Sequence, residues 1–221
     1  MSEAFNAERL TRLCDFLHQS PTPWHATRSM AQRLEQAGFQ RLDEAANWQL
    51  SPGKRYYVTR NDSSVIAFQL PAGKLSSLRM LGAHTDSPGL HLKPNATQYA
   101  AGWLQLGVQV YGGVLLTPWF DRDLGLAGRV HVRHADGRLE SMLLNVDRPI
   151  AMIPSLAIHL DREVNAGRVI NPQTQMSPVL MQSDTARLND LLAQWLEEQH
   201  GLRAVEVVDL NSAFTMFSLR R

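Results

Sequence analysis

Cysteine is almost absent: Cys14 stands alone among 221 residues. That excludes an intrachain disulfide and a cysteine-built zinc site. Cys14 falls among apolar residues in a helical pattern, where it reads as a small buried hydrophobe and not as a nucleophile. Long apolar runs are also missing. None nears the roughly 20 residues that cross a bilayer, and no signal-peptide pattern is present, so the expectation is a cytoplasmic protein with no membrane partner. An excess of one charge is lacking too: 22 basic against 21 acidic residues leave a net charge of +1. This removes the electrostatic case for nucleic acid or an anionic membrane. No serine has a credible base partner, and no glycine-rich loop is built to cradle phosphate. What is there, 44% apolar and 19% charged residues, is ordinary for a soluble globular protein. The length allows one large domain or two small ones with a real core.

The stretch that organises the chain is Arg79-Met80-Leu81-Gly82-Ala83-His84-Thr85-Asp86-Ser87-Pro88. An apolar run ends in small residues and then offers an imidazole and a carboxylate two positions apart. On a strand, residues i and i+2 share a face. Asp86 is thereby placed to take the second ring N–H of a metal-binding His84 and fix its tautomer. Taken alone, the pair reads more readily as a strand-to-turn junction at which Asp86 caps the turn.

The chain opens with two helical patterns. Asn6 caps the first, whose apolar positions are Leu10, Leu13, Cys14 and Leu17; it stops at Ser20-Pro21. Thr22 caps the second, with Pro23 at its first position, Ala26, Met30, Leu34 and Ala37 on its apolar face, and Gly38 as terminator. Strand-like runs follow: Tyr56-Tyr57-Val58, a turn at Asn61-Asp62-Ser63, Val65-Ile66-Ala67-Phe68, and residues 79–83. From Asn95 the character changes. Leu104, Leu106, Val108 and Val110 alternate, Gly112-Gly113 turns, and residues 114–120, 128–134 and 139–146 give further strands. Strands without intervening helices mark a small antiparallel sheet or barrel. Residues 154–160 read as a short helix and 165–177 as a polar loop. A longer helix spans 186–200, with Leu188, Leu191, Leu192, Trp195 and Leu196 as its stripe and Gly201 as its stop, and 205–210 is a last strand.

Several segments together resemble the aspartyl aminopeptidase family of metallopeptidases. They are Ser20-Pro21-Thr22-Pro23-Trp24-His25-Ala26, Tyr57-Val58-Thr59-Arg60-Asn61 and Gly82-Ala83-His84-Thr85-Asp86-Ser87-Pro88. Then come Leu104-Gln105-Leu106-Gly107-Val108, Trp119-Phe120-Asp121-Arg122-Asp123-Leu124, Leu126-Ala127-Gly128-Arg129-Val130 and Ile153-Pro154-Ser155-Leu156-Ala157-Ile158-His159-Leu160. The resemblance implies an α/β fold: a metallopeptidase α/β domain interrupted by a β-rich dimerisation domain. The expected division is residues 1–94 for the first part of the catalytic domain, 95–202 for the insertion, and 203–221 for a return strand with an atypical tail. It implies release of N-terminal Asp or Glu from peptides, zinc as cofactor, and a homo-oligomer. The family continues for about as long again, with an Arg-Leu-Asp-Asn segment, a Glu-Glu pair, a later aspartate and a final histidine. These are absent here, so the chain alone is expected to be inactive. The rival reading is a non-catalytic dimerisation or interaction fragment.

The resemblance makes His84 a metal ligand and Asp86 its orienting carboxylate in catalysis. One histidine does not hold zinc, which takes about three protein ligands in a catalytic site. His159, matching a histidine that reaches a neighbouring subunit's active site, is implied as a substrate-binding residue and, secondarily, a metal ligand. Ser155 stands where some members have a second histidine. Other candidates read as structural. Asp121 and Asp123 flank Arg122 in a salt-bridged turn, and Glu197-Glu198 lies on a solvated helix face. His131 and His134 fall on opposite strand faces, His25 is structural, and His18, His91 and His200 are surface residues.

Overall fold

A computed structural model describes residues 7–203 and 205–216. Asn6, the expected first cap, lies outside the described residues. The chain forms two compact units, Met1–Ser87 and Pro88–Arg221.

In the first unit, helix α1 (Ala7–His18) is followed by α2 (Pro23–Gln36). Pro23 starts α2 because its missing N–H would be unpaired there anyway. The turn after α2 is closed by Gly38 at φ 82°, the left-handed conformation that glycine adopts without strain. α2 buries Trp24, His25, Ala26, Thr27 and Ser29. α1 buries nothing: Leu10, Leu13 and Leu17 are 44–61% exposed. Cys14 is exposed as well, against the expectation of a buried residue, because its helix meets no second layer on that side among the described residues.

Strands β1 (Gln40–Arg41), β2 (Arg55–Arg60) and β3 (Ser64–Gln69) form a sheet in the order β1-β2-β3. β1 runs parallel to β2, and β2 antiparallel to β3. Asn61 and Asp62, both at positive φ, turn the β2–β3 hairpin. Tyr56, Tyr57 and Val58 are buried. The Tyr57 hydroxyl donates to the Glu35 carboxylate, tying the sheet to α2. Burial first, and then Glu35, pushes the Tyr57 pKa up to about 12.

After β3, residues 70–88 form no strand. The strand expected over 79–83 is thus corrected. Its apolar side chains project into solvent, Met80 at 82% and Leu81 at 104% exposure. A strand is held by ladder partners on its flanks, and here none is present among the described residues.

The second unit is built on strands β4 (Gly89–Ala100), β5 (Trp103–Tyr111), β6 (Leu124–Arg133), β7 (Leu139–Ala151), β8 (Val179–Gln182) and β9 (Glu206–Met216). Between them lie a one-turn helix α3 (Pro172–Gln175) and helix α4 (Leu188–His200). The sheet order is β7-β6-β9-β4-β5-β8, antiparallel at each of its ladders. One core joins it to α4: Leu90, Leu106, Leu126, Val130 and Leu144 from the sheet meet Leu192, Trp195 and Leu196 from the helix. Gly201 at φ 68° ends α4, its N–H donating to the Glu197 carbonyl.

Four features differ from the sequence pattern. The second unit starts at Pro88, ahead of Asn95, because β4 begins at Gly89 and runs through that position. The expected strand over 114–120 is a loop with a 3₁₀ turn at Thr117–Trp119, since Pro118 offers no ladder N–H. The expected helix over 154–160 is a turn. Its entry is diverted, as the Ser155 N–H donates to the Asp121 carboxylate at 2.8 Å while the Asp121 N–H donates to the Ile153 carbonyl at 2.9 Å. Finally, β9 extends past 210 and sits centrally, between β6 and β4. The segment expected as a return strand and tail therefore belongs to this sheet up to Met216. A register shift between His131 and Val132 breaks its alternation, which hides the strand's full length from a period-two reading.

Candidate functional site

The His84 segment is irregular backbone, and one side chain anchors it. Thr85 Oγ1 donates to the Ser63 carbonyl at 2.7 Å, so the segment hangs on the β2–β3 turn. His84 Nδ1 lies 2.6 Å from the Asp86 backbone oxygen and 3.6 Å from its Oδ1. Asp86 thus faces Nδ1 with both carbonyl and carboxylate. A donor hydrogen on Nδ1 leaves the Nε2 lone pair as the ring's coordinating position. The His84 side chain is 78% exposed and that of Asp86 39%. The sequence placed these two residues together, and they are together, although through a turn and not along a strand.

No group of three or more His, Cys, Asp or Glu residues that could hold a metal ion occurs among the described residues. Zinc bound by His84 alone lacks the ligand count that a protein site needs. The residues present therefore do not fit a complete zinc centre, and they supply one donor nitrogen with its orienting group.

His159 belongs to the second unit and is exposed in the turn that follows Ile158. The preceding chain is held by Asp121, whose carboxyl is kept below its usual range by hydrogen bonds from Ser155. That tie replaces the salt-bridged turn expected around Arg122, and it was not foreseen. Its only advance signal was an aspartate on either side of a turn residue. Glu198 pairs with Arg148 at 3.1 Å and Glu197 with Arg203 at 2.9 Å, in keeping with a solvated helix face. His131 Nδ1 meets the Ser141 hydroxyl at 2.7 Å, and His134 Nε2 meets Glu140 at 2.8 Å, so each has a separate partner. His91 is partly buried and stacks on Tyr111 with 4.6 Å between ring centroids.

His25 is the most enclosed histidine, 2% exposed. Its Nδ1 lies 2.7 Å from the Thr22 hydroxyl, and its buried Nε2 has no hydrogen-bond partner among the described residues. Burial, with a smaller contribution from the Arg28 charge, lowers its pKa to about 4. It is a neutral residue of the first unit's interior. Two of the open cavities among the described residues lie in the first unit. One of about 310 Å³ lies against Trp48, Arg60 and Ile66. The other, of about 570 Å³, lies between the end of β3 and residues 70–79.

The profile of the aminopeptidase I zinc metalloproteases (M18) matches residues 16–213. The chain belongs to the M18 peptidase family. It is similar to the "Probable M18 family aminopeptidase 2" of Pseudomonas entomophila (strain L48), 54% identical over 221 residues. It is also similar to that of Pseudomonas putida (strain GB-1), 53% identical over 219 residues. Each match covers 97% of this chain and 50% of the relative. The chain thus spans about half the length of these M18 relatives. Among solved structures it resembles a chain of the Ape4 and Nbr1 complex, with 36% identity and a TM-score of 0.80, covering 91% of this chain and 42% of that one. It also resembles mApe1 of Chaetomium thermophilum, with 28% identity and a TM-score of 0.77, covering 94% and 50%.

Proposed function

We propose that this chain carries one part of a zinc-dependent aminopeptidase that releases N-terminal Asp or Glu from peptides. The observation that supports the reading is the His84–Asp86 contact, lying within the M18 match: a histidine whose Nδ1 is engaged by its own orienting group two residues on. His84 is the metal ligand, through Nε2, and Asp86 sets its tautomer. His159 is the substrate-binding residue and, as a secondary role, a metal ligand, reaching the active site of a second copy in a homo-oligomer. A catalytic part that carries His84 and a β-rich dimerisation part, the first and second units of the fold, belong to the same reading. So does a cytoplasmic location; no helix among the described residues is long and apolar enough to cross a membrane.

The activity is proposed for the assembled enzyme, and this chain alone is expected to be inactive. Purified chain should not hydrolyse aspartyl or glutamyl anilides above background. The full-length Pseudomonas entomophila relative should cleave them in clear preference to leucyl anilide. Hydrolysis by the chain alone, abolished by His84→Ala, would overturn the reading of an incomplete site. Preference of the relative for leucyl anilide would overturn the acidic specificity. A second reading, a non-catalytic interaction module, is favoured by the lack of a metal-capable cluster among the described residues. It predicts self-association of the chain with no effect of zinc.

A further inference from the structure

The turn that carries His159 has little cover: Leu156 is 55% exposed, Ile158 47% and Leu160 74%. Bare connecting segments of this kind are ordinarily mobile, yet this one is fastened at both ends. On the entry side, the Asp121 carboxylate accepts from the Ser155 N–H at 2.8 Å, and the Asp121 N–H donates to the Ile153 carbonyl at 2.9 Å. Asp121 does this at φ 54°, a left-handed conformation that a residue other than glycine holds only where its surroundings enforce it. On the exit side, the Arg168 guanidinium pairs with the Asp161 carboxylate, and the two side chains are only 16% and 11% exposed. The same guanidinium lies over the Phe120 ring, 4.8 Å from its centroid, and Phe120 packs against the core of the second unit. Between the two fasteners, the Leu160 and Asp161 N–H groups both donate to the Ala157 carbonyl, at 2.8 and 3.2 Å. His159 sits inside that turn.

Exposed ion pairs contribute little because water and salt screen them. The Arg168–Asp161 pair is mostly out of water, so removing one partner leaves the other charge uncompensated. A planar guanidinium can meet a carboxylate at its edge while its face rests on an aromatic ring. Arg168 thus joins the turn, through Asp161, to the core, through Phe120. His159 itself is exposed, so its placement depends on the turn. We propose that Arg168 is a positioning residue for His159, holding the turn 157–161 in the form that presents the imidazole to substrate. The proposal rests on the reading of His159 as the substrate-binding residue, and it says what keeps that residue in place. A turn ordered in advance spares the cost of ordering it on binding.

The test uses the full 221-residue chain and reads two signals: hydrogen exchange over residues 157–161 and the His159 ring resonance by NMR. Arg168→Ala should speed exchange at the Leu160 and Asp161 amides by about tenfold and move the His159 resonance toward its unfolded position. Asp161→Asn, which keeps the arginine and removes its partner's charge, should act in the same direction. Arg168→Lys, which keeps a cation but not the planar fork, should recover part of the protection. Arg162→Ala, at an exposed neighbour, should change neither signal, and the amides of residues 126–132 in the sheet should exchange as in the parent throughout. Unchanged exchange and an unmoved His159 resonance in both Arg168→Ala and Asp161→Asn would overturn the proposal. So would an equal response to Arg162→Ala, or loss of protection across the sheet, which would make Arg168 a support of the whole unit and not of the turn. None of these readouts needs activity: failure of the peptidase reading shows in the anilide assays, and failure of the positioning shows here.

Discussion

The two units of this chain handle apolar residues in opposite ways. In the second, Leu90, Leu104, Leu106, Leu124, Leu126 and Leu144 are at 0% exposure, and one helix closes the face of a six-stranded sheet. In the first, the leucines of α1 and of residues 75–81 are 44–104% exposed around a three-stranded sheet with an open edge. Composition does not separate them; both have apolar side chains enough for a core. What differs is whether elements that cover those side chains are present among the described residues. The second unit holds its own covering elements. The first carries the candidate metal ligand on the part left uncovered.

The comparison breaks most visibly under truncation of leucines. Leu126→Ala should cost about 2–5 kcal/mol, as for other fully buried leucines, whereas Leu81→Ala should stay within about 0.5 kcal/mol. Urea unfolding of both variants tests this. Equal losses would mean that the run before His84 is covered in solution.

Acid should act on the first unit. The His25 pKa falls from 6.5 to about 4 on folding, so between these values the unfolded chain binds more protons than the folded one. The contribution of neutral His25 is complete above pH 6.5 and is lost as the pH falls toward 4. It amounts to about 3 kcal/mol, at 1.36 kcal/mol per pKa unit. Thermal unfolding followed by Tyr and Trp fluorescence should show the first unit weakening from pH 7 to pH 5, and His25→Asn should flatten that dependence. An unchanged slope in the variant would place the sensitivity elsewhere.

Close approach within the second sheet gives a smaller effect. A Cβ on Gly128 would lie 2.4 Å from both the Asn211 oxygen and the Ser212 Cβ, so Gly128→Ala forces β9 away from β6. The expected loss is about 1–3 kcal/mol, typical of overpacking. A neutral result would argue that β9 is not seated against β6.

Much of this architecture was legible where local chemistry decides it. Pro23 and Gly38 bound α2, Asn61-Asp62 turn the first hairpin, and the stripe from Leu188 to Leu196 defines α4. The expectations that failed depend on distant partners. Residues 79–83 have a strand's composition, yet a strand needs a neighbour, and the ladder beside them is not supplied. Pro154 and Ser155 suggest a helix start, but Asp121, 34 positions away, captures the Ser155 N–H. The central place of β9 rests on glycine at 128 and on a bulge, neither of which shows in its own periodicity. For the site, the spacing of His84 and Asp86 puts the two residues within reach of each other, and it could not say that the backbone oxygen of Asp86 would approach Nδ1 more closely than its carboxylate.

The central proposal is that His84 is one ligand of a centre whose other ligands are not among the described residues. Zinc titration of the purified chain by calorimetry, after chelation and dialysis, tests it most directly. Binding should be weak, far from the tight association of a site with about three protein ligands, and His84→Ala should reduce it further. Stoichiometric, tight zinc binding that survives His84→Ala would contradict the account and require a metal centre elsewhere in the chain.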